Sequence, residues 1–111
     1  MMIVQDRCST TAPQHALKTR RRMLGQYANH HHHFTIGATT DPRRCAEDST
    51  AEGWSRMVLL YLTRSSRFAI EVEEGLVDHG EAHYACQFTG IHHADEPLDP
   101  AFQYYVYVLL D

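Results

Sequence analysis

Long apolar runs are missing from this sequence, cysteines are few, and acidic side chains are scarce where basic ones gather. The longest apolar stretches, Met57 to Leu62 and Tyr104 to Leu110, fall far short of the roughly 18 residues that a membrane-crossing helix needs. No membrane partner is expected, and no signal peptide is visible. Three cysteines, Cys8, Cys45 and Cys86, are an odd number and widely spaced. That pattern argues against a disulfide framework and predicts an intracellular setting, cytoplasmic or nuclear. A hydrophobic content of 43% with 22% charged residues excludes wholesale disorder. At 111 residues the chain has the length of one domain.

The formal charge of -4 conceals a split. Residues 1 to 45 hold seven basic and two acidic side chains, net +5, whereas residues 46 to 111 hold three and twelve, net -9. A nucleic-acid partner would have to use the N-terminal half.

Taken in order, residues 1 to 12 read as a loose tail with a short apolar tip, Met2-Ile3-Val4. A helix is predicted from Pro13 to about Ala28, with Leu17, Leu24, Tyr27 and Ala28 as a narrow apolar stripe. Lys18, Arg20, Arg21 and Arg22 crowd its other faces. The cluster K-T-R-R-R suits phosphate contacts, a nuclear-import address or a solvated basic face. Four histidines, His30 to His33, follow. Consecutive side chains of an extended chain alternate in direction, so the four cannot all hold one metal.

The stretch Phe34 to Arg44, F-T-I-G-A-T-T-D-P-R-R, reads as strand, tight turn and helix. Asp41 suits the N-cap and Pro42 the first helical position. Arg43 and Arg44 fall in the first turn, where exposed N–H groups favour an anion such as phosphate. The helix from Pro42 should close near Thr50. Trp54 to Thr63, with its core M-V-L-L-Y-L, is the predicted central strand, buried on both faces. Ser65 and Ser66 cap a further helix on which Phe68, Ala69, Val72, Leu76 and Val77 recur at helical spacing, with Gly80 as its expected stop. Gly90 to Pro100 reads as a loop, and Phe102 to Leu110 as a strong strand.

Glu73 breaks the pattern of its helix. Its neighbours at minus four, minus three, plus three and plus four are Ala69, Ile70, Leu76 and Val77, so a partner is expected for its carboxylate, an arginine or a metal. His79, His83 and Cys86, with His92 and His93, have spacings that would suit zinc only if the helix continued past Gly80. Zinc is therefore not favoured.

These pieces resemble the GIY-YIG endonuclease family. T-I-G-A-T-T-D-P-R-R resembles its second motif and the helix start after it, W-S-R-M-V-L-L-Y-L its third strand, and A-I-E-V-E-E-G-L-V its glutamate helix. The closing Y-Y-V-Y-V-L-L looks like the family's first strand placed at the other end of the chain. The resemblance implies an α+β fold with a small, mostly antiparallel central sheet of about three strands flanked by helices. It also implies residues 1–33 as tail and basic helix and 34–111 as the family-like domain, with the sheet either permuted or completed by a strand from a partner, a homodimer by strand exchange. The family's second-motif tyrosine falls on Thr35, its helix arginine on Cys45 with Arg44 one place early, and its following histidine on Ser49.

The chemistry so implied is hydrolysis of DNA with one Mg²⁺ or Mn²⁺. Glu73 would be the metal ligand, Arg44 and Tyr107 the other catalytic residues, with Tyr107 positioning or deprotonating water. Lys18, Arg20, Arg21, Arg22 and Arg43 would hold nucleic acid. Two alternatives stand beside it: a nucleic-acid-binding module whose catalysis is lost, and a histidine-rich metal-binding interaction protein.

Overall fold

The computed structural model describes residues 2–92 and 103–111, with only the backbone of His92. Their elements follow in the order β1 (Ile3–Ser9), α1 (Pro13–His30), β2 (Phe34–Thr39), α2 (Pro42–Ala51), β3 (Arg56–Thr63), α3 (Ser66–His83), β4 (Phe88–His92) and β5 (Tyr104–Leu110). The strands form one five-stranded sheet in the order β1-β3-β5-β2-β4. β1 pairs parallel with β3, and β4 parallel with β2. β5 lies between β3 and β2, antiparallel to both. Four strands therefore run one way and β5 alone runs the other.

This overturns the expected mostly antiparallel sheet of about three strands. The sheet is mixed and larger because both of its edges escape hydrophobic patterning. Residues 3 to 9 are not a loose tail but β1, largely exposed and held by main-chain pairing to β3. β4 is short and pairs parallel with β2 through Phe34↔Phe88, Ile36↔Ile91 and Gly37↔His92. The central strand is β5, not β3. The closing strand is inserted in the chain's own sheet, with Gly37 directly opposite Tyr107. Phe102 and 93–101 lie outside the described residues, as does most of the expected loop.

Strand alternation divides the core into two layers. Val106, Val108 and Leu110 of β5 face α1 and α3, together with Phe34, Ile36, Val58 and Leu60. Tyr107 and Leu109 point the other way, toward Cys45 and Ala46 of α2, with Met57 and Leu59. With helices on both faces, β3 and β5 are buried on both, which is why they read as unbroken apolar runs. Each large side chain so enclosed contributes on the order of 1.5–3 kcal/mol.

The helix starts follow their sequence signals. Asp41 Oδ1 accepts from the Arg44 N–H at 3.2 Å with Pro42 in the first turn, and Ser65 Oγ accepts from the Phe68 N–H at 3.2 Å. α1 opens on Pro13 without a side-chain cap. Gly80 does not stop α3, which runs on to His83. A Cβ at Gly80 would lie 3.2 Å from the Phe88 ring, so the glycine admits β4's aromatic residue at a helix-propensity cost of about 1 kcal/mol. At Gly75 a Cβ would approach Leu17 Cδ2 to 2.6 Å, marking the close contact of α1 with α3. Each helix follows a parallel strand and precedes another, so all three begin at the end where the parallel strands finish. Among the described residues no helix is long and apolar enough to cross a membrane.

Candidate functional site

The β2–α2 junction has the expected geometry, but its helix start is already supplied with an anion. Asp41 places its carboxylate on the first-turn N–H of Arg44, and the Asp41 N–H is held in turn by Thr39 Oγ1 at 3.1 Å. A phosphate would meet this carboxylate where the expectation had placed backbone donors alone. Arg43 is exposed and lies 3.8 Å from Glu47 one helical turn on. Arg44 is exposed as well.

Three side chains at positions singled out by the expected resemblance, Thr35, Cys45 and Ser49, serve packing. Thr35 is buried, and its Oγ1 donates to the Gly90 carbonyl, tying β2 to β4. Ser49 is buried and donates to the Cys45 carbonyl at 2.6 Å within its own helix. Cys45 is buried beside Ser49 Oγ, at 3.9 Å, and is hydrogen-bonded to the Tyr107 hydroxyl. Burial pushes the Cys45 thiol pKa up, against the hydrogen bonds from Tyr107 and Ser49.

Tyr107 is 0% exposed in the layer beneath α2. Burial, above all, raises its pKa strongly, and Cys45, Glu73 and Glu52 add to the shift. The phenol is thus protonated at neutral pH and unsuited to deprotonating water. Glu73 belongs to α3, on the other layer, and is half-buried. Its surroundings are less apolar than the spacing implied, because Ile70 is 44% exposed. Its charge nevertheless contributes to the Tyr107 shift, so the two lie within electrostatic reach. Mg²⁺ keeps several waters and is commonly held by one or two carboxylates together with substrate phosphates. Among the described residues no group of three or more His, Cys, Asp or Glu is placed to hold a metal.

On α1, Lys18, Arg21 and Arg22 are exposed. Arg20 differs. Its Nε donates to the Leu60 carbonyl at 2.9 Å and one Nη to the Arg7 carbonyl at 2.8 Å. Both acceptors lie at irregularities of the sheet, between Leu59 and Tyr61 and between Asp6 and Ser9, where strand pairing skips. Two further arginines stand near it, Arg7 and Arg56, which sequence reasoning did not single out. No local signal could have joined them, because β1 itself was not legible.

The histidines fall into two groups. His31 Nδ1 lies 3.3 Å from Asp111 Oδ1, His32 Nδ1 4.0 Å from Oδ2, and the His33 N–H donates to Oδ2 at 3.0 Å. This run fastens Asp111, just past the end of β5. His79 and His83 lie side by side on α3, their rings tilted by 44° with centroids 4.4 Å apart. Helical continuity through Gly80 brings these two together, whereas Cys86 is exposed beyond the helix end and His93 lies outside the described residues.

No protein-family model, no curated protein and no solved structure matches this chain.

Proposed function

We propose that the protein is a nucleic-acid-binding module that contacts phosphates through the exposed side of α1. One observation carries the reading: the 18 residues of α1 include Lys18, Arg20, Arg21 and Arg22 and not one acidic side chain, and three of these four cations face solvent. Its neighbour α3 bears Asp78 and Glu81 on its exposed surface. Like-sign repulsion from these would keep a polyanion on α1 and toward the β1 edge. A grip of this kind releases counterions, so affinity should fall with salt at a slope of about 0.9 per phosphate contact. Three contacts would give a slope of about 2.7. DNA is the expected partner.

A hydrolytic reading has one observation in its favour, the electrostatic reach of Glu73 to Tyr107. Full burial and protonation of Tyr107 count against it. One experiment separates the two. Double-stranded DNA is titrated across a salt series, and plasmid is incubated with Mg²⁺. The binding module predicts salt-dependent retention of intact DNA that is lost when Lys18, Arg21 and Arg22 are together replaced by glutamine. Absence of titratable binding at low salt would refute it, and Mg²⁺-dependent nicking that disappears in Glu73→Ala would establish hydrolysis instead.

A further inference from the structure

A cleft of about 570 Å³ opens between the outer edge of the sheet and the β1-facing side of α1, lined chiefly by Gln5, Arg7, Arg20, Gln26, Tyr27 and Arg56. Among the described residues, three guanidinium groups border it and no carboxylate does. Strand alternation explains the sorting. Gln5 and Arg7 share this side of β1, whereas Val4 lines the groove under α2 and Asp6, of the same parity as Val4, turns its carboxylate to the Cys8 N–H.

The cations are oriented by neutral acceptors. Arg20 is fixed by the Leu60 and Arg7 carbonyls. Arg56 donates from Nε to Gln5 Oε1 at 3.1 Å, and from an Nη to the same oxygen, while its guanidinium sits 5.7 Å from the Tyr27 ring centroid. Neutral oxygens direct these charges without cancelling them. A guanidinium has five N–H donors, so Arg56 keeps donors in reserve, and the Arg7 side chain makes no hydrogen bond among the described residues. None of the three arginines forms an ion pair among those residues. Holding three like charges around one cleft is unfavourable unless an anion joins them. Arginine forks match the oxygens of a phosphoryl group, and a monoester offers three such oxygens and close to two negative charges.

We propose that this cleft binds a phosphate monoester, with Arg7 and Arg56 as its contacts and Arg20 as the fixed wall behind them. The site adjoins the polyanion grip, with Gln26 one helical turn from Arg22, but its contacts are Arg7 and Arg56, which that grip does not use. Its ligand is either a terminal phosphate of nucleic acid or a small phosphorylated molecule.

The test is calorimetric titration of inorganic phosphate into the full chain at low ionic strength. Saturable one-to-one binding is expected, weakened at least tenfold in Arg7→Gln and in Arg56→Gln. Absence of saturable binding, or unchanged affinity in both variants, overturns the proposal. Should Arg56→Gln fail to fold, Arg7→Gln on the exposed edge strand decides by itself. Replacing Lys18 and Arg22 by glutamine should leave phosphate binding intact, and loss there would refute the assignment to the cleft. Competition by 5′-phosphorylated but not 5′-hydroxyl oligonucleotide would identify a nucleic-acid end. Equal, weak competition by both, with phosphate binding still dependent on Arg7, would identify a small phosphorylated molecule; the site is supported in either case.

Discussion

Arg20 donates to two carbonyls that strand pairing leaves over, Leu60 on β3 and Arg7 on β1. Removing it would leave both acceptors to water or to nothing. Hydrogen bonds to a charged group contribute about 1.5–3 kcal/mol; because the site is only part-buried, we expect Arg20→Ala to cost about 2 kcal/mol in total, read as a lower urea midpoint. Arg22→Ala, on the open side of the helix, should stay within about 0.5 kcal/mol. Nothing in K-T-R-R-R distinguishes the two arginines, because the partners of Arg20 lie 13 and 40 residues away. Glu73 is a milder case. Helical spacing puts four apolar residues around its carboxylate, but spacing does not encode which of them are covered, and Ile70 is 44% exposed.

The elements that could be read from sequence are those whose burial is one-sided or complete. α2 and α3 announce themselves by their caps, and β3 and β5 by unbroken apolar runs. β1 and β4 do not, because an edge strand is stabilised by main-chain pairing that any side chain permits. The continuation of α3 past Gly80 was hidden for a related reason, since the gain comes from Phe88, in another element. That continuation sets up a pH response. Burial lowers the His79 pKa from its ordinary 6.5, and the charges of His83 and Arg21 lower it further. The folded state therefore disfavours the charged ring. Between pH 6.5 and the lower folded value the unfolded chain binds more protons, so this contribution to stability is complete above pH 6.5 and is lost as pH falls through that window. Denaturant midpoints measured from pH 7.5 to 5 should show His79→Gln losing less stability on acidification than the wild type. Identical slopes would assign the response to other groups.

At the scale of the molecule, β5 is the keystone. It pairs on both sides and is buried on both faces, so its amides open only when the sheet does. Native-state hydrogen exchange should find the slowest amides at Val106 to Leu109, with those of β1 and β4 exchanging by smaller openings. Equal protection at an edge strand and at β5 would contradict this order. The antiparallel insertion of a strand between parallel neighbours is also the part of the fold least available from sequence, since a both-faces-buried strand reads the same in either direction.

All three helices begin where the four parallel strands end, and their peptide dipoles consequently point the same way. Each helix start carries about half a unit of positive charge and each helix end a matching negative one. Added together, these contribute a backbone dipole along the strand direction, to which the side-chain charges add or from which they subtract. In an applied field it would turn as well as drift, and a charged surface or filament would exert a torque on it before any side chain made contact. The backbone's share of that torque turns the helix starts toward negative charge.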